Sequence, residues 1–111
     1  MSVQFAIDGG QVPAIATAAS DIFRWTHKFL PDARVFRCDR FDTSDDSSMT
    51  VPGFGDEQWA GPSRYRATFS GDLVEWSLDA VGWTAAFLAH ACHRNGVDTS
   101  LVITAARAAA E

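Results

Sequence analysis

Histidine and cysteine side chains are the residues of this chain best suited to metal binding or acid–base chemistry. His90 and His93 are three residues apart in an apolar segment, so on a helix both lie on one face. Cys92 points about 100° or more away from them on the same helix. Zinc requires three or four converging ligands, and no CxxC or HExxH spacing is present. We therefore predict no metal site.

Catalytic and phosphate-binding motifs are equally sparse. Asp8-Gly9-Gly10 precedes a predicted helix, as a phosphate-binding loop does, but no third glycine and no lysine follow. We interpret these glycines as a turn that requires positive φ. No GxSxG elbow or serine–histidine spacing occurs. Cys38 and Cys92 are too few for a disulfide scaffold and predict buried thiols in a reduced cytoplasmic protein. The sequence predicts no catalytic residue and no cofactor.

Negative charge is concentrated in one segment. The chain has 111 residues and a net charge of −5, and residues 41–63 contain five carboxylates with no Lys or Arg. Nucleic-acid binding is disfavoured because it needs clustered basic residues. No apolar run approaches the roughly 20 residues of a membrane-spanning helix, and the N-terminus lacks a signal-peptide pattern. The many alanines, and the preference for Arg over Lys, suggest a bacterial source with a GC-rich genome.

The elements that position these residues follow the order β-α-β-loop-β-β-α-β. An alternating strand at the N-terminus precedes a helix whose apolar stripe runs from Val12 to Leu30 and ends at Pro31. Residues 34–41 predict a second strand, and residues 101–104 predict a last strand buried on both faces. We predict one α+β domain over residues 1–111. Its expected architecture is a two-layer sandwich, a mixed five-stranded sheet with both helices on one face.

Residues 64–78 alternate as a β-hairpin does. Gly71-Asp72 suits a type II′ turn, and this register pairs Ala67 with Trp76 on the apolar face. Arg66 and Glu75 then lie diagonally on the polar face. The register therefore predicts a buried Trp76 and an exposed Arg66 paired with Glu75.

The second predicted helix is apolar on all sides. It runs from about Ala80 to Asn95, with Asp79 as its N-cap and Gly96 after its end. Residues 80–94 hold one formal charge. Either the sheet and the first helix cover the whole helix, or its remaining face is a subunit interface. The second interpretation predicts a homodimer through a strip of four residues: Gly82, Ala86, Ala89 and His93.

Residues 42–63 form the longest predicted loop, and loops above roughly 12–15 residues are usually functional or disordered. The first half is acidic and rich in serine, whereas the second half carries large apolar side chains. The loop either folds over the sheet, with a short edge strand at residues 49–51 as one alternative, or recognises a partner. The recognition hypothesis assigns the contact to Asp42, Asp45, Asp46, Phe54, Asp56, Glu57 and Trp59.

Two classes of function follow. The first is a non-enzymatic, homodimeric interaction protein of the inhibitor, immunity or accessory-subunit type, which holds a protein partner through the acidic loop, the second helix or both. The second is a small enzyme or ligand-binding domain with a pocket between the second helix and the sheet, using His90 or His93. The absence of a clustered acid–base constellation favours the first class.

Overall fold

The chain folds into an α+β structure, seen in a computed structural model that describes residues 1–29, 35–44 and 65–107. Within these residues four strands form one antiparallel sheet in the order β2-β3-β1-β4. Each helix joins two strands that lie on either side of a third, which is the split β-α-β connectivity of ferredoxin-like folds. In chain order the elements are β1 (Ser2–Gly10), α1 (Ala14–Phe29), β2 (Phe36–Ser44), β3 (Tyr65–Leu73), α2 (Leu78–Arg94) and β4 (Val102–Arg107).

The predicted hairpin is wrong, because Gly71 and Asp72 continue β3 instead of turning. Gly71 lies opposite Cys38, where the β2–β3 register shifts as at a β-bulge. A Cβ on Gly71 would lie 1.9 Å from the carbonyl oxygen of Arg37. The glycine thus permits close approach of two strands. Without the hairpin, the described part of the chain has four strands instead of five, and its sheet is antiparallel instead of mixed.

The segment predicted as a fifth strand leads into α2. Trp76 is 41% exposed, so its predicted burial against Ala67 is wrong. Leu78 begins α2 and is 92% exposed, the largest fraction among the exposed large apolar side chains. These side chains therefore face solvent beside α2 and do not pack in the sheet.

The ends of α2 are set by local capping. Ser77 is the N-cap, because its Oγ accepts a hydrogen bond from the Ala80 backbone N–H at 3.1 Å. The prediction that Asp79 is the N-cap is wrong, since Asp79 already lies in the first helical turn. Gly96 follows the helix with φ of +86°, in agreement with its predicted position.

One hydrophobic core joins both helices to the sheet. Phe5 and Phe36 are fully buried, and their rings meet edge to face with centroids 5.2 Å apart. The amphipathic pattern of α1 is confirmed by its buried residues Ile15, Ala19, Ile22 and Thr26. From α2, the same core takes Ala80, Leu88, Ala91 and Cys92.

The strand ends differ from the sequence prediction in two places. The last strand, β4, lies at a sheet edge and is half-buried or exposed, so its predicted burial on both faces is wrong. β2 continues to Ser44, and Phe41 is paired with Phe69 of β3. Asp42 is therefore a strand residue, and the predicted loop start at residue 42 is wrong. The edge strand considered at residues 49–51 lies outside the described residues.

Candidate interaction surface

One half of α2 faces solvent and carries few charges. Its buried half consists of Ala80, Thr84, Leu88, Ala91 and Cys92. The strip predicted from the helical projection lies wholly on the other half, because all four of its residues are exposed: Gly82, Ala86, Ala89 and His93. Their participation in a dimer remains a prediction, but all four residues are accessible to a second chain, as a dimer interface requires.

Large aromatic side chains flank this strip and continue onto α1. Trp83 is 46% exposed and stacks on Phe87 with ring centroids 5.5 Å apart. Phe87 contacts Trp25 of α1 at 5.3 Å, and Trp25 contacts Phe29 at 4.6 Å. Phe29 is itself half exposed. We define the apolar helix face as Leu78, Gly82, Trp83, Ala86, Phe87 and Ala89 of α2 with Trp25 and Phe29 of α1.

Gly82 has no packing role in the described structure. Glycine in a helix interior is less favourable than alanine by about 0.5–1 kcal/mol. A Cβ built on Gly82 would meet no atom within 4 Å, so alanine would fit. The contacts of the described chain therefore give no reason for the glycine. Close approach of another backbone is one of the reasons for which proteins keep this residue.

The charged residues of α2 lie at its two ends. Asp79 is in the first turn of α2, and His93 and Arg94 are in the last turn. Both placements are favourable to the helix dipole. Between residues 80 and 92 there is no Asp, Glu, Lys or Arg. An apolar centre with polar margins is typical of a protein–protein interface.

An apolar cleft extends this face beyond the N-terminus of α2. It is open to solvent and is lined by the apolar residues Val35, Val74, Ala80 and Trp83 and by the polar residues Glu75, Ser77 and Asp79. Because Trp83 belongs to both features, the cleft and the apolar helix face form one continuous surface. The cleft could bind large side chains of a partner, next to the exposed Leu78.

The histidines assigned to the enzymatic alternative both lie on the solvent side of α2. His90 meets the ring of Trp25 edge to face at 5.7 Å, and His93 Nδ1 is 3.3 Å from Asp98 Oδ1. Cys92 is fully buried on the other side of the helix. The structure therefore does not bring His90 or His93 to the contact between α2 and the sheet. The described residues contain no group of three or more side chains that could hold a metal ion.

Burial removes the nucleophilic character of both thiols. Desolvation raises the pKa of Cys38 and of Cys92 to about 12 in each case. The Cys38 thiol also contacts the Arg40 carbonyl oxygen, with Sγ at 3.6 Å. Because the thiolate is the reactive form, neither side chain is a nucleophile near neutral pH. This agrees with their interpretation as small buried hydrophobic residues.

A buried ion pair joins β1 to β3 away from the apolar helix face. Asp8 is 2% exposed and accepts hydrogen bonds from Arg66 Nε at 2.8 Å and Nη2 at 2.9 Å. The two residues are direct cross-strand partners. The predicted pairing of Arg66 with Glu75 is wrong, because β3 ends at Leu73 without turning back. Sequence reasoning missed the pair because it matched Arg66 to a neighbour in sequence.

The acidic residues proposed for partner recognition are described only in part. Asp42 is exposed in β2, where its carboxylate accepts a hydrogen bond from the Thr43 backbone N–H at 2.9 Å. The other six lie outside the described residues: Asp45, Asp46, Phe54, Asp56, Glu57 and Trp59.

Comparison with known proteins adds no functional information. No protein-family model, curated protein or solved structure matches the chain. In the part of the chain that the structure describes, no helix is long and apolar enough to cross a membrane. Because a fold does not by itself imply a function, the exposed surface of the two helices is the feature that bears on what this protein does.

Proposed function

We propose that this protein is a non-enzymatic interaction module of the inhibitor, immunity or accessory-subunit kind, and that its apolar helix face binds a protein. The observation that carries the proposal is the exposure of Leu78, Trp83 and Phe29 on this face. Contiguous exposed apolar patches mark association sites. Burying a large apolar side chain contributes about 1.5–3 kcal/mol, so a few such residues are enough to support binding.

The aromatic residues of the face support this assignment. Tryptophan is enriched among the residues that dominate binding energy at interfaces. Trp83 is stacked on Phe87, which packs against Trp25, so each ring is already in contact with a neighbouring ring. Ordered side chains lose less conformational entropy on binding. The face also lacks clustered Lys and Arg, which favours a protein partner over a nucleic acid.

We also infer the layer arrangement and the cellular setting. Both helices contribute to one core with the sheet, which supports a two-layer arrangement with the helices on one side. Their outer surfaces then form the apolar helix face. Two free, buried thiols suit a reducing compartment such as the bacterial cytoplasm.

The acidic segment at residues 42–63 has a separate role in this proposal. Its five carboxylates would attract a basic region of the partner before contact. Such steering raises the association rate and weakens as salt is added. The apolar helix face would supply most of the affinity, because dissociation depends on the buried contacts.

Site-specific photo-crosslinking in living cells tests the proposal. A benzophenone amino acid replaces Trp83, an exposed aromatic residue of the face, and, as a control, Ala106, an exposed residue of β4. We expect a discrete protein adduct from position 83 only. Adding Ala86→Glu should abolish it, because an apolar contact does not accommodate an unpaired carboxylate. No adduct from position 83, or the same adduct from both positions, would contradict the proposal.

A further inference from the structure

We propose that the occupant of the apolar helix face is a second copy of this chain, with the two α2 helices antiparallel about a two-fold axis near Ala86. This inference rests on the proposed function of the face as a protein-binding surface. Two-fold dimers are by far the commonest oligomers, and each uses one self-complementary patch. The charge order, the shape and the size of the face support this occupant.

The charge order along α2 is self-complementary only in an antiparallel pair. Asp79 lies seven residues before Ala86, and Arg94 lies eight residues after it, whereas His93 faces the carboxylate of Asp98. An axis at Ala86 therefore places Asp79 beside the partner's Arg94 at both ends of the pair. These charges are about 10–12 Å from the axis, at the margin of the contact. A parallel pair would instead place like charges together, which is unfavourable.

The small residues match each other across the same axis. Helical geometry places Gly82 and the partner's Ala89 on the same side of the pair, within about 1.5 Å in height. Two backbones can therefore approach to the lower end of the roughly 8–10 Å range of helix packing. This approach gives Gly82 the role that the described contacts of its own chain do not. On the other side of the helix pair, Trp83 lies beside the partner's His90.

The size of the face fits a reversible dimer. α2 has 17 residues and is therefore about 25 Å long. α1 packs beside α2, and a helix with its side chains is about 10–12 Å across, so the face is about 20 Å wide. Each protomer then covers roughly 500 Å², and the pair covers roughly 1,000 Å², the lower limit for a specific interface. We therefore expect a dissociation constant in the micromolar range and not an obligate dimer.

Sedimentation equilibrium of the purified full chain tests the pairing. From about 5 to 200 µM, the mass should rise from near the 12.0 kDa monomer toward twice that value. Asp79→Arg alone, or Arg94→Asp alone, places like charges at both margins and should weaken the dimer about tenfold. The double variant should restore it, because the two charges are only exchanged. If the substitutions acted only through helix stability, the double variant would be weaker than either single variant, because both substitutions oppose the helix dipole.

Gly82→Ala separates the interface from helix stability. Alanine favours the helix, so the unfolding temperature of the dilute monomer should rise. The added methyl group would crowd the partner's Ala89, so the dimer should weaken several-fold. Thr104→Ala, at an exposed position of β4, is the matched control and should leave the dimer unchanged.

Two outcomes would overturn the inference, and they are distinguishable from failure of the proposed function. A monomer at every concentration, or a dimer that neither the charge variants nor Gly82→Ala weakens, contradicts the antiparallel pair. If the chain is monomeric but position 83 still crosslinks to a different protein, only the self-pairing fails. If it is monomeric and position 83 gives no adduct, both proposals fail.

Discussion

Removing the negative charge of Asp8 should destabilise this fold far more than removing an exposed charge. Asp8 is buried, and the side chain of its partner Arg66 is only 18% exposed. Breaking a fully buried ion pair by removing one partner costs about 3–5 kcal/mol. Because Arg66 keeps some contact with water, we expect Asp8→Asn to lower the free energy of unfolding by about 2–3 kcal/mol. For a chain of this size, the unfolding temperature should fall by roughly 10 °C.

Urea unfolding followed by tryptophan fluorescence measures this effect. A double-mutant cycle with Arg66→Leu should give a coupling energy of at least about 1 kcal/mol, because the two side chains share both hydrogen bonds. Arg24→Ala is the control: Arg24 pairs with Asp21 on the solvent side of α1, so its loss should change stability by less than about 0.5 kcal/mol.

A small effect of Asp8→Asn would contradict the burial and pairing of its carboxylate. A change within about 0.5 kcal/mol of the original protein would mean that the carboxylate is solvated or unpaired. The same assay distinguishes the observed pairing of Arg66 with Asp8 from the predicted hairpin. In the hairpin, Glu75→Gln would weaken a contact with Arg66 and lower stability. We expect Glu75→Gln to leave stability unchanged.

Three further perturbations test the fold, all measured by urea unfolding. Gly71→Ala should destabilise by about 3 kcal/mol, because its Cβ collides with the Arg37 carbonyl oxygen and the strands must separate; a neutral result would contradict the close approach of β2 and β3. Trp76→Ala should destabilise by only about 1 kcal/mol, because Trp76 is partly exposed, whereas a loss of 3 kcal/mol or more would support the hairpin. Raising the pH from 8 to 10 should lower stability by about 1.4 kcal/mol for each thiol, because an unfolded thiol loses its proton near pH 9 and the buried one keeps it up to about pH 12. Cys92→Ala should halve that decrease, and an unchanged decrease would show that other groups cause it.

Local patterns predicted α1 and the exposed strip of α2. The apolar stripe of α1 is buried where the helical period places it, at Ile15, Ala19, Ile22 and Thr26. The projection of α2 likewise placed Gly82 and Ala86 on one side of the helix, and both are exposed. Such predictions succeed because helix periodicity depends only on residues within a few turns.

Contacts between distant segments explain what the sequence did not predict. Gly71-Asp72 indicates a turn only if the flanking residues pair with each other, but β3 pairs with β1 and β2. The register shift in β2 that requires Gly71 has no signal near Gly71 itself. The predicted hairpin also placed Trp76 and Leu78 in the sheet, so their exposure to solvent was not predicted. The contact of Trp25 with Phe87 depends on how the two helices pack, which neither helix pattern specifies.

Paramagnetic NMR on a mixed sample can show whether the apolar helix face pairs with a second copy of the chain. A nitroxide is attached to Glu75→Cys, just before α2, in unlabelled protein that is mixed with ¹⁵N-labelled original protein. The native thiols of Cys38 and Cys92 should not react, because burial raises their pKa to about 12. We predict that broadening in the ¹⁵N-labelled chain is strongest around His93 and Arg94. No broadening, or broadening strongest around Leu78 and Asp79, would contradict the antiparallel pair.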